Sequence, residues 1–313
     1  FVKADAPQEE AITVFDEEIS KQHGQLAVMD EEGVSFTSHL DGSLHRFTPE
    51  RSVEIQHALG ADMFFAFDEC TSPAETLSYQ KEALDRTHAW ARRSLAEHIR
   101  LSSLRESALG PRPSALFGIV QGGRDEELRK FSARVIAEME VEGRGFDGFG
   151  IGGSFAKEDI RAAVRWVNEI LPEGKPRHLL GIGEPEDLFM GIENGVDLFD
   201  CVLPTRLGRN GTLYTKEGKI HIENARFREE FEPIEPDCSC TTCRSGYTLA
   251  YIRHLFHGKE MLAGTLASIH NVHFLVNVVK NIRTAILNNG FFEYKELFLE
   301  RYKRERRSPE GSA

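Results

Sequence analysis

The sequence predicts an α/β fold in which helices cover a parallel β-sheet. Short apolar runs alternate with longer amphipathic stretches five times after residue 60, and polar residues or glycines follow most of the apolar runs. Such alternation produces parallel strands joined by helices, either in an open doubly wound sheet or in a closed barrel. The carboxyl ends of barrel strands converge on one mouth, so the polar residues at the strand ends favour the barrel.

Each strand and helix pair is predicted from its own stretch of sequence. In the first predicted helix, Leu77, Leu84 and Leu95 recur at helical spacing after a short apolar run. The predicted strands are residues 63–67, 116–120, 148–151, 178–182 and 197–202. The predicted helices are residues 74–99, 126–142, 157–170, 185–193 and, towards the C-terminus, 261–287.

Composition restricts the class of protein. The 313 residues include 40% hydrophobic and 28% charged residues, which is typical of a globular protein with a substantial core. The formal net charge of −12 excludes binding of nucleic acid through a bulk positive field. Any RNA site must therefore be local, and the two stretches with excess positive charge are residues 201–220 and 295–307. A stretch of this kind is more often an ordinary solvated loop or tail.

Three of the five cysteines, Cys238, Cys240 and Cys243, lie within six residues of one another. Thiolates this close repel one another unless a cation neutralises them, and zinc is the usual cation. The fourth ligand is not decided by spacing, which leaves His254, His257, His270 and His273 open. We favour His270 because it lies on the long predicted helix 261–287, and the filled coordination shell predicts a structural metal. Buried free thiols are the alternative.

The cysteine usage and the termini predict the compartment. Five cysteines in a chain of this length form no disulfide framework, so a reducing compartment is expected. We find neither a secretory signal nor an uninterrupted run of about 18 apolar residues, and we therefore expect a soluble, cytoplasmic protein without a membrane partner. The chain begins with Phe1 rather than Met, which suggests a piece of a longer protein.

Two predicted strands end in an aspartate, Asp68 and Asp200, at the same edge of the predicted sheet. One carboxylate of such a pair can attack an anomeric carbon while other groups assist the leaving group. Alternatively, each aspartate caps the turn that follows it.

Glycines follow three other predicted strands. Two of these segments are Gln121-Gly122-Gly123 and Gly152-Gly153-Ser154. Their glycines expose backbone groups, and the first segment adds the side-chain amide of Gln121; such groups can hydrogen-bond to the edge of a planar heterocycle. Left-handed turns are the alternative for both pairs. Gly181-Ile182-Gly183 precedes a predicted helix and could open it onto a phosphate.

Taken together, residues 199–211 and the cysteine cluster resemble the tRNA-guanine transglycosylases, also called queuine tRNA-ribosyltransferases. The resemblance extends over residues 48–51, 67–70, 118–123, 152–153 and 270–271, nearly all of the chain after residue 30. It implies a (β/α)8 TIM barrel with a zinc-binding subdomain near the C-terminus. We therefore expect a partial barrel catalytic domain at residues 1–232, the zinc-binding subdomain and last barrel helix at 233–290, and a basic tail at 291–313.

The resemblance also implies a reaction and a set of site residues. The enzyme would be a pentosyltransferase that exchanges the wobble guanine, nucleotide 34 of GUN anticodons, for a 7-deazaguanine base, either preQ1 or queuine, in queuosine biosynthesis. Asp200 would be the nucleophile that forms a covalent bond to the ribose. The base would contact Asp68, Gln121, Gly153, Ser154 and Leu180. The anticodon loop of tRNA would contact Gly181, Ile182, Gly183, Glu184, Pro185, Glu186, Asp187, Thr205, Arg206, Leu207, Gly208 and Arg209. One structural Zn²⁺ per chain would be bound by Cys238, Cys240, Cys243 and His270.

Three features separate this chain from the family pattern. The family's Asp-Ser-Gly-Gly-Phe-Gln run, whose aspartate acts in proton transfer, is absent, and only five of eight strand and helix pairs are predicted. We therefore expect the barrel to be incomplete at its N-terminus and the chain alone to turn over poorly. Glu184 stands where bacterial members commonly have Lys, which weakens the local attraction for phosphate.

Two other functions fit parts of the sequence. One is a non-catalytic tRNA-binding partner subunit, which would not need the nucleophile Asp200. The other is a barrel glycoside hydrolase using Asp68 and Asp200, which the zinc cluster and the Arg206 and Arg209 pair disfavour. We also expect a homodimer, as the resemblance implies.

Overall fold

A computed structural model describes residues 27–72, 74–109, 114–153 and 158–303. Of the predicted site residues, Ser154 lies outside these ranges, as do parts of the predicted first domain and tail. Contacts divide the chain into two compact units, one formed by residues 1–180 and 194–198 and the other by residues 181–193 and 199–313. The predicted boundary at residue 233 falls inside the second unit.

The first unit begins with a small antiparallel sheet. Strand β2 (Gly33–Thr37) pairs with β1 (Ala27–Asp30) on one side and β3 (Leu44–Phe47) on the other. Helix α1 (Pro49–Leu59) follows, and the Thr48 side chain caps it by accepting the Arg51 N–H. The Trp90 indole N–H donates to the Glu31 carbonyl at 2.8 Å and so ties the turn between β1 and β2 to the next helix.

The main sheet contains five strands in sequence order. These are β4 (Met63–Phe65), β5 (Ala115–Val120), β6 (Gly148–Ile151), β7 (Arg177–Leu179) and β8 (Leu198–Phe199). The strands β4 to β7 pair in parallel, which confirms the predicted strand and helix alternation. The connecting helices are α2 (Leu77–Leu109), α3 (Glu126–Ala137) and α4 (Ile160–Asn168). Parallel pairing brings the carboxyl ends of these strands to one edge of the sheet.

The core of this unit lies between the sheet and its helices. Phe117 and Phe149, on neighbouring strands, are almost completely buried, and so is Trp90 of α2. Helix α4 presents a clean apolar stripe to the core, through Ile160, Ala163, Val164 and Val167. This packing holds the strand ends in fixed positions.

The second unit is mainly helical. It contains α5 (Pro185–Glu193), α6 (Leu203–Arg209), the hairpin β9 (Thr212–Thr215) and β10 (Gly218–His221), and a 3₁₀ helix (Ala225–Glu229). It continues with α7 (Thr241–Arg244), α8 (Leu249–His257), α9 (Met261–Leu287) and α10 (Phe291–Tyr302). One apolar cluster joins the hairpin to α7, α8 and the start of α9, and a second joins α5, the later part of α9 and α10.

Helix α9 organises the second unit. By length and composition it could cross a membrane, and it is the one helix within the described ranges of which this is true. The most apolar 18-residue window is 44% buried inside the protein, and the helix carries buried His270 and Asn271 near its middle. Both clusters pack against it, as expected for the core helix of a globular unit.

Candidate functional site

Asp68 and Gln121 form a hydrogen-bonded pair in the first unit. They lie beyond β4 and β5, which are neighbours in the parallel sheet, so their side chains come together. The Gln121 Nε2 donates to Asp68 Oδ2 at 2.7 Å. Burial raises the pKa of Asp68 to about 6, and the charge of Glu69 adds to the rise while the Gln121 hydrogen bond opposes it. The pair therefore offers a carboxyl group that exchanges a proton near neutral pH.

The neighbouring Glu69 fixes the backbone that carries Asp68. Glu69 is buried, and its carboxylate accepts from the Tyr79 hydroxyl at 2.6 Å and from Arg86 Nε at 2.7 Å. Its N–H donates to Thr87 Oγ1 at 3.0 Å. Tyr79, Arg86 and Thr87 were not predicted as partners of Glu69. Their positions along α2 look the same in the sequence as those of residues that merely pack in the core.

Arg129 lies completely buried behind the glycine loops. From α3 its Nε donates to the carbonyl of Gly123 at 2.6 Å and its Nη2 to the carbonyl of Gly152 at 3.0 Å. Burial lowers its pKa to about 9, so the guanidinium stays charged at neutral pH. Sequence reasoning missed Arg129, although a signal was present: a charged residue sits in the buried helical stripe with Ser132, Ala133 and Ile136.

Two further predicted base contacts, Gly153 and Leu180, follow strands β6 and β7. Gly153 is half-buried with φ +116°, a conformation that favours glycine, and an added Cβ would lie 2.4 Å from Arg129 Nη2. Leu180 is half-buried, and its N–H donates to the Ile151 carbonyl at 3.3 Å. The structure therefore gathers Asp68 and Gln121 directly and places Gly153 beside the Arg129 that holds both loops.

Asp200 lies in the second unit, where it follows β8 and is exposed. Its Oδ1 accepts the Gly181 N–H at 3.0 Å, which orients the carboxylate without burying it. The adjacent turn packs closely on the next residue, because a Cβ on Gly183 would lie 2.5 Å from Cys201 Cβ. An exposed, oriented carboxylate is accessible to a large substrate, which a nucleophile buried in hydrocarbon would not be.

The predicted RNA contacts lie in two segments, residues 181–187 before Asp200 and residues 205–209 after it. Glu184 does not extend into solvent: its side chain is 15% exposed and pairs with Lys219 of β10 at 2.7 Å. This ion pair joins the turn before α5 to the hairpin, and sequence spacing gave no sign of it because the partners are 35 residues apart. In the last turn of α6, Arg206 is half-buried and Arg209 is exposed.

Cys238, Cys240, Cys243 and His270 form one cluster in the second unit. Their Sγ and Nδ1 atoms all lie within 4.8 Å of one another, and the three Sγ to Nδ1 distances are 3.8, 3.6 and 3.5 Å. A tetrahedron with metal–ligand bonds of 2.0–2.3 Å has edges of about 3.6 Å, so the residues fit a four-coordinate ion. Of the four candidate histidines, His270 is the one that the structure groups with the three thiols.

Buried hydrogen bonds orient His270 and its neighbour Asn271. His270 Nε2 lies 2.8 Å from the Tyr214 carbonyl and donates to it, which leaves Nδ1 to face the thiols. Asn271 accepts the Tyr214 N–H and donates to the carbonyls of Pro204 and Thr212. The dipeptide therefore links the cysteine cluster to β9 and to α6, the helix that follows Asp200.

Comparison with known proteins decides the family. The queuine tRNA-ribosyltransferase family matches residues 12–304. This chain belongs to that family. Proteins named queuine tRNA-ribosyltransferase from Herpetosiphon aurantiacus and Streptococcus sanguinis are each 44% identical to it, over 90% and 87% of this chain and 68% of each relative. A third, from a Thermoanaerobacter species, is 44% identical over 88% of this chain and 70% of its own length.

Membership of the queuine tRNA-ribosyltransferase family confirms the predicted fold. The family fold is a (β/α)8 barrel, and the described residues supply a five-stranded sheet, in which β4 to β7 are parallel, together with the Cys3His cluster. The prediction that the sheet belongs to a barrel rather than to an open doubly wound fold is therefore correct. The roles of individual site residues stay predictions.

Replacing Asp68 by Asn is expected to stabilise the protein at neutral pH. The folded-state pKa is raised to about 6 from 3.8, so the folded chain holds a proton that the unfolded chain has lost, and stability falls as pH rises through this range. The asparagine variant avoids this loss, which is on the order of 2–3 kcal/mol above about pH 6 and absent near pH 4. Urea unfolding of both proteins at about pH 4 and pH 7.5 measures the difference. A variant that is less stable by the same amount at both pH values contradicts the assignment.

Proposed function

We propose that this chain is the tRNA-guanine transglycosylase its family membership indicates, a pentosyltransferase of queuosine biosynthesis. It exchanges the guanine at position 34 of GUN anticodons for a 7-deazaguanine base, preQ1 or queuine, through a covalent intermediate. The observation that carries this proposal is the exposed Asp200 carboxylate, which directly follows strand β8 and accepts the Gly181 N–H. A non-catalytic tRNA-binding subunit would not require an exposed, oriented carboxylate at this position.

In the proposed reaction Asp200 attacks C1′ of the ribose of nucleotide 34. A C1′–O ester bond forms, the C1′–N9 bond breaks, and its electron pair leaves with the guanine, which then takes up a proton. The incoming base loses its N9 proton and attacks C1′, and the ester bond breaks to regenerate the carboxylate. Exposure keeps Asp200 accessible to a large substrate, and the Gly181 N–H, which donates to Oδ1, helps to hold the carboxylate in place for the attack.

Asp68 and Gln121, with Gly153, Ser154 and Leu180, form the proposed base contacts. The amide of Gln121 can donate and accept, and a carboxyl group with its pKa raised to about 6 accepts from the amino and imino groups of a guanine-like edge. The anticodon base must leave its stack to be read in this way, which is inexpensive in a loop that is already unpaired.

The second unit supplies the proposed RNA contacts, residues 181–187 and 205–209. Arg206 and Arg209 bring local positive charge to an acidic chain and would hold phosphates near the target nucleotide. Zinc is the proposed ion of the Cys3His cluster, where it would be bound by Cys238, Cys240, Cys243 and His270 and would complete the fold around α9.

A homodimer and a cytoplasmic location complete the proposal. Supporting the dimer, the outer face of α9 carries an apolar stripe of Leu262, Ile269, Val272 and Val276, each 39–46% exposed. Apolar side chains grouped on one helix face often mark a protein interface. The cytoplasm is where tRNA is available and where cysteine thiols remain reduced.

Incorporation of labelled guanine into tRNA tests the proposed function. The chain is incubated with [¹⁴C]guanine and a tRNA that carries a GUN anticodon, and the acid-insoluble label is counted. The matched control is the same tRNA with adenine at position 34. Because the chain alone is expected to turn over poorly, the incubation is extended, and we expect slow labelling of the first tRNA only; equal label in both, or label in neither after the extended incubation, overturns the proposal.

A further inference from the structure

The turn that contacts Asp200 has no side chain of its own at the point of contact. The Gly181 N–H donates to Asp200 Oδ1 at 3.0 Å. Gly181 is exposed with φ +74°, and a Cβ built on it would meet no atom within 4 Å. Side-chain packing therefore does not hold this donor, and its position depends on the residues on either side of it in the chain.

Glu184, three residues later, fixes the far end of this turn. Its carbonyl accepts the Leu188 N–H at 3.0 Å, at the start of α5. Its side chain is only 15% exposed, and Oε1 pairs with Lys219 Nζ of β10 at 2.7 Å. Between Gly181 and Glu184, Gly183 is buried against Cys201. The ion pair therefore ties the turn to the β9–β10 hairpin.

The hairpin in turn holds Lys219 in place. Lys219 lies opposite Tyr214 in the register of β9 and β10, and its Nζ lies 5.8 Å from the centre of the Tyr214 ring. A cation in this position is attracted to the face of the ring. Tyr214 is completely buried, and its ring stacks on that of Phe274 of α9. The ammonium that reaches Glu184 therefore stands on a rigid base.

The Glu184 carboxylate depends on Lys219 for compensation of its charge. Within the described part of the chain, Glu184 Oε2 is buried and has no hydrogen-bond partner. Removal of the ammonium alone would leave a charged, largely buried carboxylate uncompensated, which is strongly unfavourable, whereas a neutral amide there is tolerated far better. Without Lys219, the Glu184 side chain would move towards solvent, and the turn that carries Gly181 would move with it.

We propose that Lys219 and Glu184 are positioning residues that hold the turn of residues 181–184 so that the Gly181 N–H stays bonded to Asp200 during the attack on the ribose. This inference rests on the proposed function, because it concerns the orientation of the proposed nucleophile. It gives Glu184 a task other than the RNA contact that the resemblance implies. Neither residue touches the reacting atoms, and both act through the Gly181 donor, whose loss lowers the rate of attack.

Lys219→Met tests this inference. The rate of covalent adduct formation with GUN-anticodon tRNA is measured at saturating tRNA, together with the tRNA concentration that gives half of that rate. We expect the saturated rate to fall roughly tenfold while the half-saturating concentration changes by less than about twofold. An unchanged saturated rate with a higher half-saturating concentration would assign Lys219 to RNA binding and overturn the positioning role.

Two further variants separate positioning from the loss of a surface charge. Lys295→Met is the matched control, since Lys295 is 20% exposed and pairs with Glu193 of the same unit at 2.8 Å. It should keep the saturated rate within about twofold. Glu184→Gln combined with Lys219→Met leaves no uncompensated charge, so we expect the rate to recover to within about threefold of wild type. A double variant as slow as Lys219→Met, or a control as slow, overturns the inference.

Exchange of the Gly181 amide hydrogen gives a readout that needs no tRNA. In chains labelled with ¹⁵N-glycine, we expect this amide to exchange roughly fivefold faster in Lys219→Met than in the wild type or in Lys295→Met. If circular dichroism shows that Lys219→Met does not fold, Lys219→Gln takes its place, with the same direction of change. Equal exchange in all chains overturns the positioning role while the proposed function stands. A wild-type chain that forms no adduct on extended incubation overturns both.

Discussion

Replacing Asp200 by Asn is expected to reduce guanine exchange into tRNA by a factor of at least about 10³, because the amide oxygen is too weak a nucleophile to form the ester. The fold should not change, since the side chain is exposed and an asparagine oxygen can still accept the Gly181 N–H. Initial rates with saturating tRNA measure the loss in kcat. Binding of tRNA, measured by filter retention, should change by less than about threefold, because only one surface charge is removed.

Asp197→Asn is the matched control for this substitution. Asp197 is exposed, lies three residues before Asp200, and accepts the Arg177 N–H at 2.9 Å, which an asparagine oxygen can also do. It should retain exchange activity within a few-fold. If Asp200→Asn were as active as Asp197→Asn, Asp200 could not be the nucleophile.

Loss of His270, the proposed fourth metal ligand, is expected to have the largest effect on stability. Metal ligation by three thiolates and an imidazole supplies folding free energy directly, on the order of 10 kcal/mol in small zinc peptides. In His270→Ala, the Tyr214 carbonyl also loses its donor, and the link from α9 to the hairpin weakens. We expect less than about 0.1 zinc per chain by plasma mass spectrometry and a fall of several kcal/mol in unfolding free energy.

The neighbouring His273 provides the control for His270. It lies on the same helix and contacts the Ser239 hydroxyl of the cysteine loop at 3.1 Å, but its ring is not part of the cluster. His273→Ala should retain about one zinc per chain. Full zinc content in His270→Ala, or equal loss in both variants, would contradict the assigned ligand set.

Regular elements with strong local patterns were predicted well from the sequence. The structure has β6 at Gly148–Ile151, α5 at Pro185–Glu193 and α9 at Met261–Leu287, each with the predicted bounds. Each segment is a buried strand or an apolar helix with polar residues at its ends, so the hydrophobic pattern in the sequence matches the burial in the structure. Strand β8 is shorter than predicted, at Leu198–Phe199. The side chains on either side of it accept backbone N–H groups from a neighbouring segment: Asp197 accepts from Arg177 and Asp200 accepts from Gly181, and the chain leaves the strand direction at these two residues.

Contacts between distant residues could not be predicted in the same way. The β9–β10 hairpin was not predicted, since its four-residue strands are too short to give a pattern of their own. The burial of Glu184 depends on Lys219, and the role of Arg129 depends on two loops from other strands. The local sequence therefore predicted which residues at the strand ends take part in the chemistry. The distant residues that orient them could be identified only from the structure.

The most direct test of the account is to locate the covalent bond itself. The wild-type chain is incubated with GUN-anticodon tRNA, denatured, and treated with nuclease and protease, and the peptides are sequenced by mass spectrometry. We predict a ribonucleotide without its base attached to the peptide that contains Asp200, and no such product from Asp200→Asn. A nucleotide attached to any other residue, or an adduct that persists in the asparagine variant, would contradict the account.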